Sequence, residues 1–313
     1  MPACSRLDRS DAGTVLSFAS DTSPVSSGRI TFRGGWRTAL GFAVGVALTL
    51  AVWVPIDDVV AAAPAWVELL SEVTKFWVLA GVTLAALRVD GVAPESLGLS
   101  RRHLLAALVA VAGIWLGLNG LGLALAALAG HGWGVDALTT PVDPRWTSLP
   151  APWVVTVSLQ FLVVGLVEEF ALRGYFQTKL IALLGDSDRR RIALGIAAAS
   201  VLFGLLHAPG AILAGASPAG VLGVIASRTV TGLAFGVLYE LTHNVYFVAL
   251  LHGLGNTWPL LVDPWAWSGP ALAAFGVGVF VCYVGVALGY RRWAIDAGPT
   301  PIPRRSAVAG SPR

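Results

Sequence analysis

The chain has 313 residues, 56% of them hydrophobic and 12% charged, with a formal net charge of +3 and a mean hydropathy of +0.73. Soluble domains carry about a quarter charged residues, and so little polar surface cannot cover a water-soluble fold of this size. The same composition excludes a disordered chain, and basic residues scattered between apolar runs leave no footprint for nucleic acid. A polytopic membrane protein remains.

Residues 1–28 are polar and lack the apolar core of a signal peptide, which predicts a disordered cytoplasmic tail. Residues 36–56 then form an apolar run of the roughly 20 residues a spanning helix needs. Further runs follow at 64–87, 103–129, 152–174, 192–212, 218–241, 245–262 and 270–290. Residues 294–313 are rich in Pro, Ser and Arg and predict an unstructured tail, so the membrane domain occupies 29–293. The expected fold is an all-α transmembrane bundle of about eight spans.

Loop charges orient it. Arg88, Arg101, Arg102, Arg173, Lys179, Arg189, Arg190, Arg191, Arg291 and Arg292 fall at one set of loops. The opposite loops carry Asp57, Asp58, Asp136, Asp143 and Asp263, with Arg145 as their basic residue. The positive-inside rule then puts both termini in the cytoplasm of a multi-pass plasma-membrane protein. Lysine occurs only at 75 and 179, and with the Ala, Val and Gly excess this resembles the usage of a GC-rich bacterial genome. Cys4 in the polar tail and Cys282 in an apolar run are not placed to pair.

Some polar residues have structural readings. Glycines four apart, such as Gly41 and Gly45 or Gly232 and Gly236, let helix backbones approach closely. His243 and Asn244 read as a helix end and a cap. Glu72 and Lys75 can pair at i,i+3 on a solvated rim that also holds Glu68. Arg228, inside the sixth span, reads as a partner for a carboxylate such as Glu240 or as a contact for a substrate carboxylate, the former being simpler.

An intramembrane charge costs about 2.5–3.5 kcal/mol on insertion scales, so each needs a partner or a task. The fourth span runs into Glu168-Glu169, whose side chains point about 100° apart on a helix. Glu169 and Arg173 are an i,i+4 pair, which leaves Glu168 free to face the bundle interior. The fifth span offers Phe203 and His207, and the seventh offers His252 and Asn256 on one face. A carboxylate and an imidazole around a water make a general base, while imidazole and carboxamide can donate to an oxyanion.

These motifs, Glu168-Glu169-x-x-x-Arg173, Phe203-x-x-x-His207 and His252-x-x-x-Asn256, resemble those of the CPBP family. That family holds the type II CAAX prenyl endopeptidases and bacterial Abi or bacteriocin self-immunity proteins. Ser96-Leu97-Gly98-Leu99 resembles its lead-in, and the motif core covers 152–258. The resemblance implies an intramembrane endopeptidase acting on a membrane-associated protein or peptide near the cytoplasmic face. It implies Glu168 and His207 as water activators, His252 and Asn256 as oxyanion donors, and Glu169, Arg173 and Phe203 as supports. One Glu and two His could also bind zinc, but HExxH is absent and Asn256 would then be idle, so no cofactor is favoured. The alternatives are a non-catalytic scaffold or immunity protein, or a proton-coupled transporter; the last lacks an internal repeat.

Overall fold

The computed structural model describes residues 30–128, 147–257, 259–264, 267, 269–296 and 305–307. The expected tail at 1–28 lies outside them. Nine helices carry the described chain: α1 (Trp36–Val60), α2 (Ala65–Asp90), α3 (Arg101–Leu128), α4 (Pro152–Leu184), α5 (Arg189–Leu206), α6 (Ala208–Leu213), α7 (Pro218–Thr242), α8 (Val245–Thr257) and α9 (Gly269–Asp296). With α5 and α6 taken together as Arg189–Leu213, seven stretches are long and apolar enough to cross a membrane. The all-α polytopic class is as the sequence predicts.

The lipid-facing surface follows from helical periodicity. On α1, Leu40, Val44, Leu48 and Val52 are exposed at every fourth position, while Ala39, Phe42 and Val46 are buried against the bundle. Glycine sets the closest helix approach. A Cβ on Gly204 of α5 would fall 2.2 Å from Thr229 Oγ1 of α7, and one on Gly232 of α7 would lie 3.1 Å from Ser200 Cα. Other glycine pairs behave differently, since nothing lies within 4 Å of the Cβ position at Gly285 or Gly289.

The span expected at 245–262 is helical only for its first 13 residues, and α8 is about 20 Å long. It nevertheless crosses the bundle. Asn244 Nδ2 donates to His103 O at the start of α3, while further along that helix Trp115 Nε1 donates to Pro259 O and Asn119 Oδ1 accepts from Leu261 N. Pro259 cannot continue a helix. Non-helical backbone survives at membrane depth only where protein groups satisfy it, and Trp115 and Asn119 do so here. Beside the seven long helices, the segment from Asn244 to Leu261 therefore follows α3 from His103 to Asn119, about 24 Å.

The fourth span departs most from expectation. Instead of stopping near Gly174, α4 continues to Leu184, so Arg173 and Lys179 are buried in the bundle rather than placed in a loop. Two stretches of it, Leu159–Gly165 and Phe170–Gln177, are π-helical. Beyond them, Lys179 Nζ lies 2.7 Å from Asp90 Oδ1, with both side chains fully buried. Asp90 also accepts from Tyr175 Oη and from Gly34 N, each at 2.8 Å, and Lys179 donates to Gly34 O. This cluster fastens the chain ahead of α1 to the ends of α2 and α4.

The strand Ile30–Phe32 beside it pairs in parallel with Arg305–Ala307. The C-terminal stretch expected to be unstructured therefore has these three residues in a ribbon, and Ala294 to Asp296 in α9. The pairing brings the segments flanking the bundle to one end of it.

Removing one partner of a buried ion pair strands the other charge. Lys179→Met is expected to cost about 3–5 kcal/mol, read as a fall in melting temperature in detergent. Asp90→Asn combined with Lys179→Met is expected to cost less than Lys179→Met alone.

Candidate active site

Glu168 and Glu169 occupy the short α-helical segment Leu166–Glu169 between the two π-helical stretches of α4. π-Helical turns shift side-chain directions relative to a regular helix and concentrate at functional sites. Here neighbouring carboxylates take different surroundings. Glu169 is fully buried, with Oε2 at 3.2 Å from Arg173 Nε and Oε1 at 2.8 Å from His252 Nδ1. The predicted i,i+4 pair is present, and a histidine from α8 completes it. Glu168 instead lines a cavity of about 530 Å³. Its Oε2 is buried with no hydrogen-bond partner among the described residues and lies 3.9 Å from His252 Nε2.

Close backbone approach brings α8 to α4. A Cβ on Gly165 would sit 2.6 Å from Ala249 O, and one on Gly253 would sit 2.7 Å from the Phe161 ring. Gly253 adjoins His252, and the Phe161 ring fills the space beside it. Stacking of Phe235 on His252, with centroids 5.4 Å apart, holds the imidazole from its other side.

His207 stands where α5 ends. Pro209 has no N–H to continue the ladder, and α6 starts after a single non-helical residue. His207 Nδ1 is 2.8 Å from Phe203 O. A carbonyl only accepts, so Nδ1 carries the proton and Nε2 remains available. Phe203 packs between two of these side chains: its ring lies 4.4 Å from Arg173 Cζ and its centroid 4.6 Å from that of His207. Asn256, one turn beyond His252, donates through Nδ2 to Gln160 Oε1 at 2.8 Å and keeps a second N–H.

Glu168, His207, His252 and Asn256 all line the one cavity, with Phe203 in its wall. Glu169 and Arg173 lie behind it. The sequence missed Gln160, whose polarity in an apolar run was the available signal. It also placed Glu72 and Lys75 on a solvated rim, whereas they line the cavity. Lys75 is 2.7 Å from Glu72 and 3.5 Å from Asp57, with its side chain only 13% exposed. Arg228 lines the cavity too and forms no ion pair with Glu240, which lies 12 residues, about 18 Å, further along α7. His243 and Asn244 act as read: His243 ends α7 with φ at 47°, and Asn244 Oδ1 accepts from Phe247 N.

The depth of the site corrects one expectation. Glu168 is 16 residues, about 24 Å, from either end of α4. From a floor at Ala171 and Leu172 the cavity runs to Trp53, Asp57, Pro209 and Leu213, at the end of the bundle opposite Asp90 and Lys179. It therefore does not open at the arginine-rich end, because α4 carries on past the motif instead of terminating there. Histidine depth agrees, since His207 is 18 residues, about 27 Å, from the arginine-rich start of α5. Among the described residues no three His, Cys, Asp or Glu side chains are grouped to hold a metal ion.

Residues 150–258, about a third of the chain, match the family model described as type II CAAX prenyl endopeptidase Rce1-like. The match covers all three motifs and is the resemblance they suggested. Over this segment the chain is similar to that family. No curated protein and no solved structure matches the chain.

Overpacking a filled contact displaces one of its sides. Gly253→Ala is expected to push α8 from Phe161 and cost about 1–3 kcal/mol, and Phe161→Ala in the same chain to recover part of that loss. Thermal unfolding of the single and double variants measures both.

Proposed function

We propose that this protein is an intramembrane endopeptidase that hydrolyses a peptide bond of a membrane-associated protein or peptide. The observation that carries the reading is the division between the adjacent glutamates. Glu169 lies behind the cavity, ion-paired with Arg173 and hydrogen-bonded through Oε1 to His252, whereas Glu168 faces the cavity with no hydrogen bond to its buried Oε2, which lies 3.9 Å from His252 Nε2. A general base needs that freedom, held within reach of a second polar group.

In this mechanism Glu168 takes a proton from a water whose oxygen attacks the scissile carbonyl carbon. His207 accepts the water's other hydrogen at Nε2, since its Nδ1–H is committed to Phe203 O. Charge then develops on the carbonyl oxygen. Asn256 donates to it through its second N–H, and His252, held by Glu169, supplies the second donor. Glu168 returns its proton to the departing nitrogen as the C–N bond breaks, and His207 Nε2 takes the remaining hydroxyl proton, leaving a carboxylate and an amine. Donors fixed in a water-poor site serve such an oxyanion well, because they need no reorganisation during the reaction.

All four residues have tasks without a metal. His252 Nδ1 is taken by Glu169, and the described residues offer no three-ligand group, so this reading assigns no zinc. On the positive-inside orientation the cavity mouth faces away from the cytoplasm, so the scissile segment enters from the non-cytoplasmic side.

Glu168→Gln is expected to lower cleavage by about 10²–10⁴-fold at matched expression, seen as protein termini that vanish from host membranes by mass spectrometry. Identical termini in wild type and variant, with the host phenotype intact, would favour a non-catalytic scaffold or immunity role. Chelators are expected to leave cleavage unchanged. A cysteine placed at Asp57 is expected to react with impermeant thiol reagents from outside the cell, and one at Arg190 only after permeabilisation.

A further inference from the structure

Among the described residues, one lysine and one arginine line the cavity, and only the lysine is ion-paired. Lys75 is held by both Glu72 and Asp57. Arg228 lines the same cavity as Glu168 but has no ion pair or hydrogen bond with any described residue. It stands about 15 Å from Pro218 and 21 Å from Thr242, in the middle of α7. At that depth an arginine requires a partner, a hydrated cavity or a function. Glu240 is out of reach on the same helix.

We propose that Arg228 anchors a carboxylate of the peptide bound in the cavity. The guanidinium is the side chain suited to it, with a planar fork of donors matching the two oxygens of a carboxylate and a charge that is never lost. Its place on the wall with Glu168, His207 and His252 puts an anchored carboxylate in the compartment where the bond is cut, which makes Arg228 a specificity residue rather than a catalytic one. A C-terminal carboxylate and an acidic side chain offer the same chemistry. The inference rests on the protease reading only for placing a peptide in the cavity.

Binding tests it without turnover. The Glu168→Gln protein in lipid nanodiscs is offered a degenerate pool of ten-residue apolar peptides in three forms: free acid, C-terminal amide, and amide with one central Glu. The bound fraction of each is measured by mass spectrometry. The free acid is expected to bind at least about tenfold tighter than the amide, the size of one charge-assisted contact. Added Arg228→Gln removes that preference, and Arg228→Lys retains part of it. Recovery of tight binding by the central Glu identifies a side-chain carboxylate as sufficient; its failure identifies the terminus. Equal binding of all forms, binding of none, or a preference that survives Arg228→Gln overturns the proposal. A preference that depends on Arg228, in a protein whose intact Glu168 yields no cleavage, leaves the anchor standing and removes the protease reading.

Discussion

The carboxylate of Glu169 is the constraint around which the centre of the bundle is arranged. A fully buried charge is tolerable only when paired and hydrogen-bonded. Its two oxygens face Arg173 on the same helix and His252 on α8. Arg173 in turn lies under the ring of Phe203 from α5. One buried anion thereby ties together the three helices that carry the motifs. With that requirement met by its neighbour, Glu168 is left as a group whose surroundings need not satisfy it.

Such a site demands departures from regular helix, and each is supported by protein rather than lipid. The π-helical stretches of α4 widen its turns on both sides of the glutamates, and Thr178 Oγ1 donates to Arg173 O within the second. The break between α5 and α6 follows from Pro209. The early end of α8 exposes backbone whose polar groups are taken by Trp115 and Asn119. Without those partners each open carbonyl or amide would carry the desolvation penalty that confines membrane spans to helices and barrels.

Hydropathy and i,i+4 spacing made much of this readable in advance. Lipid selects apolar residues wherever a helix faces it, so the runs marked the helices, and side-chain pairs one turn apart, Glu169 with Arg173 above all, are local enough for spacing to reveal. Contacts between distant segments were not readable. Asp90 and Lys179 stand 89 residues apart, and in a hydropathy profile a buried lysine resembles one in a loop. That ambiguity ended α4 ten residues too early and drew the site toward the wrong end of the bundle. The pairing of Ile30–Phe32 with Arg305–Ala307 crosses nearly the whole chain and leaves no local mark. Glu72 and Lys75 show the same limit: their pairing is local, but the cavity they line is assembled from six other helices.

On the protease reading, the depth of Glu168 constrains what the site can attack. Every carbonyl within a transmembrane helix is engaged in the i→i+4 ladder and shielded by its own side chains. A water activated about 24 Å along α4 therefore meets an accessible peptide carbon only where the substrate is unwound. The cavity supplies the conditions for that state. Asp57, Glu72 and Lys75 keep polar groups at the mouth, Gln160 and Asn256 continue them down one wall, and apolar Val46, Leu79 and Val164 offer surface for side chains. A short extended segment can thus exchange its backbone hydrogen bonds with water or lining groups as it descends. On the protease reading, selection acts on the ability of a segment to leave the helical state, and the carboxylates act on what has already unwound.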